Sequence, residues 1–176
     1  MHKRASFSDN APSILDIDTY YNDSEQALRL FFSTHSPSYG SRFISYSQNE
    51  IQEELNARLD ELDQTSSFVL LTSIEASFQI DYLQRNYQRK KDHVSRSMRD
   101  LYKQEGRFAS LEEIFDIWKN KVNGLNVIIG DLDGAFKFRN WVAHGRYLTP
   151  MLGKKYDYQS IYMIISAVFE NIPFLV

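Results

Sequence analysis

Cysteine is absent from this chain, which excludes disulfide scaffolds, thiolate metal sites and cysteine nucleophiles. Glycine and proline are scarce, 7 and 4 in 176 residues, and that argues against a turn-rich β-sandwich or barrel. No apolar run approaches the roughly 18–20 residues of a membrane-spanning helix. The longest stretch, residues 161–169, is interrupted by Tyr162 and Ser166 and reads as a buried helix. The opening residues, Met1 to Asn10, are basic but lack the apolar segment of a signal peptide. A cytoplasmic setting without membrane association is therefore expected. The four histidines, His2, His35, His93 and His144, are scattered, with none in an H-E-x-x-H arrangement. No metal and no other cofactor is expected.

What is present suits a single globular domain. Hydrophobic residues make up 43% and charged ones 24%, proportions that exclude wholesale disorder. Twelve Phe and eleven Tyr predict a core of large planar side chains. The net charge of −3 is unevenly spread. Between Asp9 and Asp63 acids far outnumber Arg29, Arg42 and Arg58. From Arg85 to Arg107 the balance reverses, through Arg85, Arg89, Lys90, Lys91, Arg96, Arg99, Lys103 and Arg107. Two readings of this stripe stand side by side. It is either a solvated helix face or a surface that attracts RNA phosphates, and the second assigns Arg85, Arg89, Lys90, Lys91 and Arg96 to RNA binding.

Hydrophobic spacing and capping signals predict helices throughout. Residues 1–46 read as an N-terminal extension with one helix: a frayed leader to about residue 13, then a helix capped near Asp23 or Ser24. Residues 36–41 form a loop broken by Pro37 and Gly40. The bundle proper spans 47–176. Ser47 and Glu50 make a capping box, followed by an apolar stripe of Ile51, Leu55, Leu59 and Leu62. A separate, longest helix is expected over 66–89, with Phe68, Leu71, Ile74, Phe78 and Tyr82 on one wide buried face. A basic helix over 94–104 closes at Gly106, and Ser110 with Glu113 caps the next. Asn123-Gly124 ends that one. A helix over 125–144 follows, in which Gly130 and Gly134 permit close helix approach and Gly145 terminates. The last helix covers 158–170. The fold class is all-α, an antiparallel bundle of five to seven helices.

The segment that carries chemistry is Phe136-Lys-Phe-Arg-Asn-Trp-Val-Ala-His-Gly-Arg-Tyr147. Asn140 and His144 are four residues apart on one helix face, so the amide can orient the imidazole. Arg139 lies about 100° round from Asn140, with a side chain long enough to reach the same pocket. A guanidinium neutralises phosphate through paired hydrogen bonds, and an imidazole moves protons near neutral pH. RNA carries its own nucleophile, the 2′-OH, so these three groups can suffice for phosphodiester cleavage.

Arg139-Asn140-Trp141-Val142-Ala143-His144 resembles the R-x4-6-H motif of the HEPN superfamily, in its familiar Arg-Asn-x-x-Ala-His-Gly form. The resemblance implies a four- or five-helix bundle, commonly a homodimer with the two motifs meeting at a composite site. It also implies metal-independent endoribonuclease activity that leaves a 2′,3′-cyclic phosphate, in a toxin–antitoxin or phage-defence setting with an antitoxin or regulatory protein as partner. Many HEPN proteins place an acid near the active Arg on the equivalent helix. Glu75 and Asp81 both read as solvent-facing carboxylates. Of the two, Glu75 is better placed to orient Arg139, because it shares its side with Leu71 and Phe78. HEPN toxins modified by nucleotidyltransferase antitoxins often carry Tyr two residues after the His. Arg146 stands there instead, as a possible second phosphate contact, with Tyr147 one further on. Two other classes fit the sequence: a non-catalytic HEPN module that binds RNA or nucleotides, and a purely structural helical partner domain.

Overall fold

A computed structural model describes residues 5–8, 11–149 and 152–175. Among these residues the chain forms seven α-helices and no strand. They are α1 (Ile14–Phe31), α2 (Tyr39–Arg42), α3 (Gln48–Tyr87), α4 (His93–Glu105), α5 (Leu111–Lys121), α6 (Leu125–Ala143) and α7 (Tyr158–Asn171), with a 3-10 turn at Gly106–Phe108 between α4 and α5. The all-α bundle expected from periodicity is the observed fold.

Helix α3 organises everything else. It runs for 40 residues, ~60 Å at 1.5 Å per residue, and α1, α4, α5, α6 and α7 all pack against it. The expected break before Ser66 does not exist. Residues 63–67 are polar but include neither Gly nor Pro, so nothing stops the helix. Thr65 Oγ1 turns back to the Glu61 carbonyl at 2.8 Å, while Ser66 and Ser67 are small enough to be buried in the packing. Ser47 caps the N-terminus through its reciprocal box with Glu50, as its spacing predicted.

The first helix begins ten residues earlier than expected. Ser13 accepts from the Asp16 N–H and Asp16 returns the bond, a capping box that places Asp23 and Ser24 well inside α1. Nor is the whole leader frayed. The Ala5 N–H donates to Tyr87 Oη at 3.0 Å, and Ala5 and Phe7 pack on the main core; residues 1–4 and 9–10 lie outside the described residues. The short helix α2 occupies part of the expected loop.

The core is aromatic-rich. Trp118, Tyr82, Tyr158, Phe78 and Phe115 are its largest fully buried side chains. Phe78 meets Phe115 and Phe174 edge-on, with centroids 4.8 and 4.9 Å away, the geometry that ring quadrupoles favour. Ile17 of α1 belongs to this core. A smaller cluster of Phe32, Phe43 and Ile51 closes the other end of the α1–α3 hairpin.

Of the two glycines in α6, only Gly134 sits at a close approach. What approaches it is the Tyr156 side chain from the α6–α7 connection, whose hydroxyl occupies the space of a Cβ. Gly130 faces open space. The two sites should therefore respond oppositely to alanine. Gly130→Ala is expected to stabilise by about 0.4–1 kcal/mol through lower unfolded-state entropy. Gly134→Ala must displace a buried ring and should cost about 1–3 kcal/mol. Thermal melts of both variants, and of Gly134→Ala with Tyr156→Phe, check this; removing the hydroxyl should restore most of the loss.

Candidate functional site

Helix α6 lies antiparallel to α3, since Arg139 pairs with Glu75 while Arg146, further along, pairs with Glu61. The motif therefore sits at the C-terminal tip of α6, against the middle of α3. The tip is built by a glycine. Gly145 has φ +79° and Arg146 φ +57°. The Gly145 N–H returns to the Val142 carbonyl at 3.0 Å and the Arg146 N–H to the Trp141 carbonyl at 3.1 Å. This is a full Schellman ending, and it confirms Gly145 as the terminator.

The Arg139 guanidinium turns toward the bundle. Its Nη2 donates to Glu75 Oε2, its carbon lies 5.2 Å from the Phe136 ring centroid, and its Nε is buried without a hydrogen-bond partner. The two side chains are 21% and 35% exposed, so one edge of the pair still meets solvent. Glu75 is thus the acid that holds Arg139. The expectation that Asp81 faces solvent is wrong: it is fully buried.

Asn140 and His144 face the other way. Both are exposed, and among the described residues neither side chain has a hydrogen-bond partner. They are linked only through the backbone, the His144 N–H donating to the Asn140 carbonyl at 3.0 Å. The structure brings Arg139, Asn140 and His144 to one helix end without hydrogen bonds between their side chains. Arg146 donates to Glu61 at 2.7 Å and to Gln64 at 2.8 Å; that bond holds the Glu61 carboxyl below its usual range. Tyr147 is 77% exposed.

Trp141 lies between the two directions. Its indole N–H donates to the Leu148 carbonyl at 2.6 Å, and its ring lines a cleft of about 570 Å³ shared with α1, α3 and the α6–α7 connection. Across that cleft Asp63 accepts the Tyr158 N–H at 3.0 Å and the Tyr21 hydroxyl at 3.3 Å. Burial raises the Asp63 carboxyl above its ordinary range. Burial, followed by the Asp63 charge, pushes the Tyr21 phenol up to about 12. Nothing in the spacing of Tyr21, Asp63 and Tyr158 announces this network, because it joins three separate helices.

The basic stripe divides. Arg85 is 5% exposed and does not belong to the surface reading. It bonds Asp81 at 2.8 Å, Ser95 at 3.1 Å and the Pro173 carbonyl at 2.8 Å, with Trp118 beneath it. The i, i+4 spacing of Asp81 and Arg85 was the available signal for an ion pair. Arg89, Lys90, Lys91 and Arg96 are exposed at the α3–α4 turn, and no ion pair engages them among the described residues. This turn lies ~18 Å or more along α3 from Glu75, at 1.5 Å per residue. Among the described residues no three His, Asp or Glu side chains are grouped so as to hold a metal ion. Comparison with family models, curated proteins and solved structures gives no match.

Burial separates structural from surface cations in a way that stability measures directly. Arg85→Ala strands Asp81 in the interior and should cost about 3–5 kcal/mol, as for other broken buried pairs. Lys90→Ala and Lys91→Ala should each stay within about 0.5 kcal/mol of the parent. Urea unfolding of the three variants checks the contrast.

Proposed function

We propose that this chain is a metal-independent endoribonuclease of the HEPN type, acting as a toxin or phage-defence effector on cytoplasmic RNA. One observation carries the reading. The motif arginine is held by an acid of a neighbouring helix, while the motif amide and imidazole stand exposed and unpartnered at the same helix end. A helix surface built only for stability has no need of a positioned guanidinium beside an open histidine.

In this mechanism the 2′-oxygen of RNA attacks the adjacent phosphorus and the bond from phosphorus to the 5′-oxygen breaks. The products are a 2′,3′-cyclic phosphate and a 5′-hydroxyl. His144 moves the proton, taking it from the 2′-OH or giving it to the leaving oxygen. Arg139 neutralises the charge that builds on the phosphoryl oxygens. Asn140 orients the imidazole or the phosphate, and Arg146 supplies a second cation near the scissile group. Glu75 fixes Arg139, so its role is positioning. A homodimer supplies the second motif of a composite site. Exposed Tyr147 and Leu148 at the tip, 77% and 62%, are the apolar surface such a contact would cover. An antitoxin or regulatory protein is the expected second partner.

The non-catalytic alternative draws on a different observation: the unpaired cations of the α3–α4 turn lie far from the motif along α3. An RNA-binding module would use them without His144.

Purified protein incubated with total cellular RNA in EDTA decides between these. Wild type should cleave to cyclic-phosphate ends, and Arg139→Ala and His144→Ala should lose at least a hundredfold in rate, in line with the ~10²–10⁴-fold typical of a positioned proton-transfer group. Glu75→Gln should fall in between with its fold intact. Equal cleavage by all variants would place the activity elsewhere, and a strict monomer at micromolar concentration would remove the composite site. For the basic turn, the Lys90→Gln, Lys91→Gln double variant should bind RNA more weakly at low salt. Its log–log salt slope should drop by about 1.4, two single-strand contacts at ~0.7 each. An unchanged slope would return these lysines to ordinary solvated surface.

A further inference from the structure

The cleft beside Trp141 is continuous with the motif and is not used by the chemistry above. Trp141 and His144 are i, i+3 neighbours, with Cβ atoms ~5–6 Å apart in helical geometry. Gln64, which accepts from Arg146, also lines the cleft. Its volume of about 570 Å³ falls within the ~300–1,000 Å³ of small-ligand sites.

Its aromatic walls are fixed in advance. The Trp141 indole is tied to Leu148, and Tyr21 stacks on Tyr158 at 3.7 Å with its hydroxyl on Asp63. Most of the charges in the cleft are already engaged. Glu25 holds Arg29, Lys154 holds Asp131, Asp157 caps α7, and Asp63 accepts from two donors. Asp60 and Lys155, both exposed on the rim, have neither a side-chain hydrogen bond nor an ion pair among the described residues.

We propose that this cleft is a base-reading subsite that selects guanine in single-stranded RNA. The proposal rests on the ribonuclease reading for its substrate class. Single-stranded RNA is recognised by stacking splayed bases on aromatic rings and bonding their Watson–Crick edges. A carboxylate only accepts hydrogen bonds. Guanine alone offers two adjacent N–H donors on that edge, at N1 and N2. Adenine and cytosine place a ring lone pair beside their amino group, and uracil flanks its one N–H with two carbonyls. Asp60 accepts the two guanine donors, Trp141 supplies the stacking face, and Lys155 meets the phosphate of the same nucleotide. The acids that would repel an RNA backbone here face a neutral base edge instead.

The test is a calorimetric titration of the full chain with guanosine, adenosine, cytidine and uridine 5′-monophosphates. It is paired with the two indole N–H signals in a nitrogen-15 spectrum and with mapping of cut sites in a mixed-sequence RNA. The expected result is at least tenfold tighter binding of the guanosine nucleotide. The Trp141 indole signal should move while that of core Trp118 stays in place, and cuts should concentrate at guanosine. Asp60→Asn, an exposed change that leaves the core untouched, should reduce the nucleotide preference to within twofold and disperse the cut sites. Equal binding of all four nucleotides overturns the proposal, as does a guanosine preference that survives Asp60→Asn. Cleavage without guanosine preference would remove the subsite and leave the ribonuclease. Guanosine binding that depends on Asp60 without any cleavage would keep the subsite and remove the ribonuclease.

Discussion

Helix α3 contains neither glycine nor proline across its 40 residues, and along it stand four carboxylates that receive the second half of the chain. Glu61 takes Arg146, Asp63 takes the Tyr158 N–H, Glu75 takes Arg139, and Asp81 takes the Leu175 N–H together with Arg85. Apolar burial between α3 and its neighbours supplies the bulk of the driving force, but burial is non-directional. The carboxylates set direction and register, holding α6, the start of α7 and the C-terminal segment each at a defined height on the rod. The exposed pairs among them are individually weak, on the order of 0–1 kcal/mol. The Asp81–Arg85 pair, being buried, is the one whose breakage is severe.

That arrangement explains the division within the motif. Arg139 is directed inward because an acid waits there, and its cost in side-chain freedom is met in the folded state rather than at the moment of binding. His144 caps α6 at a glycine-built tip and is held by nothing but its own backbone. A fixed cation beside an exposed imidazole suits the proposed reaction, in which charge accumulates at one place while protons enter and leave at another.

Helix existence was readable from local signals, because a capping box or a terminal glycine depends on residues only three or four apart. Ser47, Ser110, Gly106 and Gly145 each did what their spacing indicated. The misread boundaries came from the same kind of signal used too eagerly. The polar stretch 63–67 has the composition of a break without a breaker, and Ser24 has the chemistry of a cap while lying inside a helix already started by Ser13. Burial of charged residues was the weaker part. Arg85 and Asp81 look like surface charges until the tail at Pro173 and Leu175 folds over them. The contact between Glu75 and Arg139, 64 residues apart, was approachable because each lay on a recognisable helix face. The Tyr21–Asp63–Tyr158 network had no such handle. The pairing of Arg146 with Glu61 was likewise invisible, since it follows from where the turn after α6 meets α3 rather than from local spacing.

Helix α3 is gripped at two separate heights by one stretch of chain, at Glu75 by Arg139 within α6 and at Glu61 by Arg146 just past its end, and that has a consequence for how such a chain can vary. Adding or deleting one residue of α3 between Glu61 and Glu75 turns everything beyond it by about 100° and shifts it by ~1.5 Å, which carries one acid off the facing side. The stretch of α3 between the two acids is therefore fixed in length by the contacts at its ends. Insertions and deletions should collect in the α1–α3 connection and in the turns around α5, where no second spacing has to agree.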